Sequence, residues 1–341
     1  MNKVFIFGLM LLFAGCSTAK VNKVILKDKE LAVKEIKILN PDETIDDRRP
    51  VFSPDGTKIA FESDRSGRIN LWIMDADGSN IKQLTFKKGG AYDPAFSPDG
   101  QKIIFTATDR VGEDMSLWVM NINGTDLRKI TEGGNFAPAW SPDGEKIAFI
   151  SIRIGKAAVW IMKSSGKIIS QATTGEPYPN YFKEMRQLTT GGNGDWGPRW
   201  TTDGSKILYV SLRDGIKETT VPRVNDDPQR EAAKLGGGYI NKGDIWSVNI
   251  KDGTYQQLTT DPEMDMVPAL SPDGSKIAFF SNRNGNPDIW TMNVDGSEQK
   301  ELIRDICHHS DPRYDERIDF YKGMSCYQLN WSPDGTKIAF T

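Results

Sequence analysis

The side chains best suited to metal or redox chemistry lie together near the C-terminus. The chain has three cysteines and two histidines, and four of these five residues fall in one stretch, namely Cys307, His308, His309 and Cys326. In an oxidising compartment we expect Cys307 and Cys326 to form a disulfide. A metal site using His308 and His309 is an alternative, although adjacent histidines point apart in an extended chain and the spacing matches no standard zinc pattern. Free thiols are the third possibility.

The sequence shows no machinery for hydrolytic catalysis. A serine hydrolase of the nucleophile-elbow type needs a G-x-S-x-G motif, and none occurs in this chain. Acidic residues are abundant, but the sequence singles out no carboxylate pair of the kind that glycosidases use. We therefore expect a protein that is not an enzyme and that needs no cofactor.

A short motif, S-P-D-G-x-K-I, recurs along most of the chain with small changes. Its six copies begin at Ser53, Ser97, Ser141, Thr201, Ser271 and Ser332. Repeats of about 40 to 45 residues with short alternating apolar runs are typical of four-stranded propeller blades. The proline suits the second position of a type I turn, and the glycine accepts a positive φ, so each motif predicts a hairpin. The sequence thus predicts an all-β fold, a six-bladed β-propeller.

The last repeat is too short to form a whole blade from its own residues. The sequence ends at Thr341, directly after the second strand of the sixth repeat. Residues 23–39 contain two alternating runs, and we expect them to supply the two missing strands of the last blade. Such closure would remove the strand edges that an open ring exposes.

One position in each repeat should face the mouth of the propeller channel. This residue enters the innermost strand two positions before a second repeated proline, such as Pro50, which Leu329 replaces in the sixth repeat. The six residues are Arg48, Tyr92, Phe136, Trp196, Met266 and Tyr327. Aromatic residues, Met and Arg are enriched at binding hot spots. We predict that these residues bind a partner, and the alternative is that they pack between blades.

Two further patterns bear on the site. Insertions at residues 211–243 and 303–327 are predicted to reach the same face as these six residues, whereas one at 163–184 decorates the opposite face. Arginines recur at one register after the second strand of each complete repeat: Arg65, Arg110, Arg153, Arg213 and Arg283. A ring of guanidinium groups can bind an anion, but recurrence in every complete blade favours a shared structural bond.

The N-terminus has the layout of a secretory signal. Lys3 precedes an apolar run from Val4 to Phe13, and two small residues come before Cys16. The run is too short to span a bilayer as a helix. The stretch Leu-Phe-Ala-Gly-Cys resembles the lipobox of bacterial lipoproteins, which implies cleavage after residue 15 and lipidation of Cys16. We therefore expect a signal peptide at 1–15, a tether at 16–22 and the propeller at 23–341, with an ordinary cleaved signal as the alternative.

The charge composition limits the classes of partner that we expect. The formal net charge is −3, with 43 basic and 46 acidic residues. No run of Lys and Arg provides the basic surface that nucleic-acid binding needs, so nucleic acid is not an expected partner.

The repeated motifs SPDGTKIAF, SDRSG, LWIMDADGSN and QLT resemble those of the TolB-like six-bladed β-propeller family over residues 23–341. The resemblance implies the fold strongly and the function weakly, because propellers carry many activities. Members such as TolB have an additional α/β domain before the propeller, and we expect that domain to be absent here, because only a short stretch separates Cys16 from the first repeat.

These features together predict a membrane-tethered, non-catalytic propeller. We expect it to be exported, lipid-anchored at the outer membrane facing the periplasm, and to bind or scaffold envelope proteins or peptides. The alternative is a propeller that binds or processes carbohydrate, with a glycan as the ligand, and it rests only on the aromatic residues of the channel face.

Overall fold

The computed structural model describes residues 8–13, 32–38, 45–153, 155–165, 185–189, 194–211, 243–285, 288–304 and 329–340. All regular elements in these ranges are β-strands, and they form six four-stranded sheets. The chain begins with two N-terminal strands, β1 (Gly8–Phe13) and β2 (Ala32–Ile38). The next twenty strands form five consecutive blades, and two final strands return to the N-terminal pair.

Each of the five blades is built from four strands that are consecutive in the chain. The first blade has β3 (Asp47–Phe52), β4 (Lys58–Ser63), β5 (Asn70–Asp75) and β6 (Lys82–Gln83). The second has β7 (Gly90–Phe96), β8 (Lys102–Thr108), β9 (Ser116–Asn121) and β10 (Arg128–Lys129). The third has β11 (Asn135–Trp140), β12 (Lys146–Ser151), β13 (Ala158–Lys163) and β14 (Met185–Gln187).

The remaining two blades follow the same order. The fourth has β15 (Asp195–Trp200), β16 (Lys206–Ser211), β17 (Asp244–Asn249) and β18 (Tyr255–Gln257). The fifth has β19 (Asp265–Leu270), β20 (Lys276–Ser281), β21 (Asp288–Asn293) and β22 (Lys300–Ile303). All neighbouring strands in these five blades are antiparallel. This arrangement confirms an all-β propeller.

The predicted hairpins form at the repeated turns. In the first blade, the Ser53 hydroxyl donates to Asp55 Oδ1 at 2.5 Å and accepts the N–H of Lys58 at 2.9 Å. Gly56 has a φ of 71°, which a glycine adopts at little cost. Gly56 also lies against the turn of the last repeat, because a β-carbon added to it would lie 3.6 Å from Cδ of Pro333. The turns therefore pack against one another at one end of the ring.

The sixth sheet differs from the prediction. It joins β23 (Leu329–Trp331) and β24 (Lys337–Phe340) to β1 and β2, in the order β2, β1, β24, β23. Two N-terminal strands complete the last sheet, as predicted, but only β2 lies within residues 23–39; the strand beside β24 is β1, which precedes them. β1 pairs in parallel with both neighbours, unlike any pair in the five regular blades. β1 covers the edge of β24, and an uncovered strand edge is unfavourable. The predicted count of six blades is therefore corrected to five regular blades and a sixth sheet that contains parallel pairs.

The inner strands close a ring around a central channel. β3, β7, β11, β15, β19 and β23 follow one another in contact, and β23 also contacts β3. Across this last junction, Asn330 Nδ2 donates to the carbonyl of Pro50 at 2.7 Å. Ala339 of β24 packs in one apolar cluster with Phe52 and Phe61 of the first blade. Because each blade buries its apolar faces against its neighbours, the ring fixes the relative position of residues on different inner strands.

Candidate binding face and central channel

The structure places five of the six predicted face residues at one register. Each lies one or two residues after the start of an inner strand and pairs with the same position of the second strand of its blade. These residues are Arg48, Tyr92, Phe136, Trp196 and Met266. Tyr327 lies outside the described residues. The same edge of the ring includes Ser211, which pairs with Asp195 directly beside Trp196. Residues 212–242 therefore attach to the ring at the same edge as Trp196.

Trp196 is the face residue that solvent reaches most. It is 42% exposed, although tryptophan is usually well covered in a folded chain. Its ring contacts the ring of Phe136 on the neighbouring blade, with centroids 5.6 Å apart. Gly194 passes beneath the indole, since a β-carbon added there would lie 3.0 Å from Nε1. The two rings form an aromatic pair across the junction of the third and fourth blades.

Three other face residues make hydrogen-bond, ion-pair or apolar contacts within the protein. The Tyr92 hydroxyl donates to the carbonyl of Gly89 at 3.4 Å, and burial, assisted by the charge of Glu62, raises the pKa of Tyr92. The guanidinium of Arg48 binds the carboxylate of Asp46. Met266 packs against the apolar cluster between the fifth blade and the sixth sheet. The register therefore combines one exposed aromatic with residues that pack between blades, and its role in partner binding stays a prediction.

A bulge interrupts every described inner strand of the five blades directly after the face residue. The next residue has a positive φ in each case: Arg49 (50°), Asp93 (54°), Ala137 (51°), Gly197 (58°) and Val267 (53°). Only the glycine adopts this conformation freely, and a β-branched residue such as Val267 is strained in it. Strained backbone of this kind often marks a functional region.

These bulges bring a charged cluster to the channel between the first and second blades. The guanidinium of Arg49 binds the carboxylate of Asp93 and lies 3.2 Å from Glu62 Oε1. The same Glu62 oxygen accepts the backbone N–H of Asp93 at 2.7 Å. Glu62 is buried, and this burial raises its pKa, while the charge of Arg49 opposes the rise and that of Asp93 adds to it.

The cluster extends to the third blade through a hydroxyl. Thr106 occupies the position in the second blade that Glu62 has in the first. Its Oγ1 donates to Asp93 Oδ2 at 3.0 Å and accepts the backbone N–H of Ala137 at 3.1 Å. The side chains at this position thus satisfy the backbone of the next blade's bulge.

Arg199 of the fourth blade interacts electrostatically with this cluster. It lies on β15, which stands opposite β3 in the order of the inner strands. Burial lowers the pKa of Arg199 to about 10, and the charges of Asp93 and Arg49 act on it in opposite directions. The channel therefore holds two arginines and two carboxyl groups close enough to interact.

Sequence reasoning missed Arg49, Glu62 and Arg199 as site residues. Two signals were available. Glu62 is the one charged residue at a position otherwise occupied by Thr106, Ile150, Val210 and Phe280. Arg199 stands where other repeats have Val51, Ala95, Ala139, Ala269 and Asn330.

The arginines after the second strand have a structural role where they are described. In the fifth blade the Arg283 guanidinium lies 2.8 Å from the buried carboxylate of Asp265, and its Nε donates to Ser281 Oγ at 2.9 Å. It also stacks on the ring of Trp290 at 4.5 Å from the centroid. Arg65 and Arg153 make the corresponding contacts in their blades.

Arg110 breaks this pattern, because the acid or amide of the other blades is Ala91 in the second blade. Its side chain is 83% exposed, and its nearest ion-pair partner is Glu113 at 3.9 Å. Arg213 lies outside the described residues. Three of the repeated arginines, Arg65, Arg153 and Arg283, thus stabilise their own blades.

Several predicted residues lie outside the part of the chain that the structure describes, namely Cys16, Cys307, His308, His309 and Cys326. Lipidation, the disulfide and the alternative metal site therefore stay predictions. Among the described residues, no group of three or more Asp, Glu, His and Cys side chains is arranged to hold a metal ion. The same residues include no helix that is long and apolar enough to cross a membrane.

Comparison with known proteins agrees with this architecture. The family model described as the TolB beta propeller domain matches residues 25–108 and 86–182. An uncharacterized protein of Agrobacterium fabrum is 30% identical over 228 residues, which is 55% of this chain and 63% of that protein. The Tol-Pal system protein TolB of Bordetella pertussis is 27% identical over 120 residues, or 30% of this chain and 27% of that protein.

A similar fold occurs in a solved structure. A TolB-type protein of Agrobacterium tumefaciens superposes with a TM-score of 0.60 at 19% identity, covering 86% of this chain and 90% of that one. At this identity the likeness concerns the fold alone. The matched region spans less than two thirds of each of the two sequence relatives.

Proposed function

Because the chain belongs to the TolB-like β-propeller family, we propose that it is an exported, lipid-anchored propeller that binds an envelope protein or peptide without catalysing a reaction. The Bordetella pertussis relative is a component of the Tol-Pal system by its name. The observation that carries the binding role is the exposed Trp196, paired with Phe136 on a rigid ring. Rigid aromatic anchors lose little entropy on binding and dominate many interfaces.

The proposed location follows from the N-terminal sequence. Cleavage after residue 15 leaves Cys16 as the lipidated first residue, with 16–22 as a tether and the propeller beginning at residue 23. The anchor places the ring at the outer membrane, facing the periplasm. The mass of the N-terminal peptide of the mature protein tests this directly, and an unmodified Cys16 would contradict it.

Cleavage also has a consequence for the ring. The processed chain has lost β1, so the edge of β24 needs another strand. We propose that residues 23–31 take this place beside β2, which gives the mature protein six complete blades. The closed series of inner strands and the packing of Gly56 on Pro333 support a six-bladed ring, because both already span the junction that this last blade completes.

The binding role is tested with one tryptophan and one matched aromatic. Trp196→Ala removes the exposed ring at the channel face. Tyr255→Ala is the control, since Tyr255 is 41% exposed but lies on β18, the outermost strand of the same blade. Wild-type protein and both variants are used to recover crosslinked partners from solubilised envelope, and the affinity of the recovered protein is then measured with purified components.

Trp196→Ala should weaken binding of that envelope protein by about 1 to 4 kcal/mol, as expected for a hot spot. Tyr255→Ala should leave the affinity unchanged. Equal affinities for the two variants would contradict the proposed face. The carbohydrate alternative uses the same ring, because aromatic faces also stack on sugars. Trp196-dependent binding of purified envelope polysaccharide, without a protein partner, would favour that alternative.

A further inference from the structure

Arg199 makes no direct contact with an oppositely charged group among the described residues, although the charge of Asp93 acts on it. No hydrogen bond or ion pair to Arg199 occurs in the part of the chain that the structure describes. By contrast, Arg49 binds both Asp93 and Glu62. At the corresponding position of β23, Asn330 donates to the backbone of the next inner strand. An arginine that is half-buried and unpaired is costly, because burial penalises its charge.

The channel beside Arg199 also lacks the acceptors found at the first blades. The bulge N–H groups of Asp93 and Ala137 bind Glu62 and Thr106 of the preceding blade. At the next two junctions the equivalent side chains are Ile150 and Val210, which have no acceptor atom. The bulges at Gly197 and Val267 therefore have no side chain of this kind to bind, and Arg199 adds further donors to the same region.

Gly197 leaves open space at the bulge of the fourth blade, two residues before Arg199. A β-carbon added to Gly197 would meet no atom within 4 Å. Glycine at this bulge thus leaves room where the other described blades have a side chain. The fourth blade thus combines an arginine without a direct ion pair among the described residues, a bulge without a side-chain acceptor from the preceding blade, and open space at Gly197.

We propose that this side of the channel binds a single carboxylate group of a peptide through the guanidinium of Arg199. Guanidinium and carboxylate match in shape and form paired hydrogen bonds. One carboxylate is sufficient to neutralise Arg199, because Arg49 is already paired with Asp93 and Glu62. This inference rests on the proposed peptide-binding function, to which it adds the chemical group that enters the channel.

The test uses small peptides and requires no knowledge of the partner. The probes are acetyl-Gly-Glu-Gly-amide, its neutral Gln analogue, and acetyl-Gly-Gly-Gly with a free chain end, and their Kd values are measured by ligand-observed NMR titration. Arg199→Ala is the informative variant, because Ala95, Ala139 and Ala269 show that the ring accepts alanine at this position. Arg110→Ala is the control, since it removes an exposed arginine outside the channel.

At least one carboxylate peptide should bind about tenfold or more tightly than the Gln peptide, and Arg199→Ala should abolish this difference. The tighter of the two carboxylate probes identifies whether an acidic side chain or a chain end is preferred. The proposal is overturned if neither carboxylate is preferred, if Arg110→Ala has the same effect, or if inorganic phosphate competes better than both. Such a failure leaves partner binding through Trp196 untouched, so the two proposals fail separately.

Discussion

Arginines occupy two different settings in this ring. Arg283 repeats a position found in other blades, where it contacts a buried acid, a serine hydroxyl and a tryptophan ring. Arg199 occurs once, on an inner strand, and has no partner among the described residues. Repetition means that the same contact can be used by each blade to build the fold. Arg199 occurs at a position where three other blades have alanine, so the fold does not require an arginine there. This indicates that Arg199 has a functional role.

The largest expected effect is on the repeated arginine. Arg283→Ala leaves the buried carboxylate of Asp265 without its cation, and we expect the free energy of unfolding to fall by about 3 to 5 kcal/mol. Urea denaturation followed by circular dichroism measures this change. The matched control is Arg110→Ala in the second blade, which should alter stability by no more than about 0.5 kcal/mol. Equal losses in the two variants would show that the repeated contact does not stabilise the blade.

Carboxyl groups also differ between the repeated turns and the channel, because their pKa values are shifted in opposite directions. At the repeated turn of the fourth blade, the hydroxyl of Thr201, with the backbone and hydroxyl of Ser205, lowers the pKa of Asp203 to about 2. A lowered pKa means that its stabilisation is complete above the unfolded value of about 3.9 and is lost as the pH falls towards 2. For Glu62 in the channel, burial raises the pKa. Its folded state binds a proton more strongly, so stability falls as the pH rises above the unfolded value of about 4.3.

Two variants with uncharged side chains test these opposite dependences of stability on pH. Between pH 4 and pH 2, wild-type protein should lose more stability than Asp203→Asn. Between pH 4.5 and pH 7, roughly the range set by the unfolded pKa of glutamate, wild-type protein should lose stability relative to Glu62→Gln. Urea midpoints across the pH range measure both differences. Parallel curves for wild-type protein and Glu62→Gln would show that the channel carboxyl is not destabilised by burial.

The sequence predicted the repeated parts of the fold because each repeat carries its own local signals. The turn at Ser53 to Gly56 is specified by a hydroxyl, a proline and a glycine within four residues. The expectation of strands at residues 23–39 was less successful, since nothing local reveals that β1 pairs in parallel with β24. Pairing between distant segments depends on which edges remain uncovered once the rest of the ring has formed.

The channel cluster was harder to predict for a related reason. Arg49 and Asp93 are 44 residues apart and meet only because neighbouring inner strands bulge at the same position. Aspartate is enriched at positive φ but arginine is not, so residue type alone does not predict a bulge at both positions. Trp196 was identified because aromatic residues at strand ends stand out in a sequence, whereas Arg199 is recognised as exceptional only against the alanines of the other blades.

The contrast between repeated and singular arginines is tested most directly by the affinity of acetyl-Gly-Glu-Gly-amide, measured by NMR titration on folded Arg199→Ala and folded Arg283→Ala. We predict that Arg199→Ala loses about tenfold or more in affinity while keeping the stability of the wild-type protein. Arg283→Ala should keep the affinity despite its lower stability. Undiminished binding by Arg199→Ala, or an equal loss in both variants, would contradict the assignment of Arg199 as the carboxylate-binding residue of the channel.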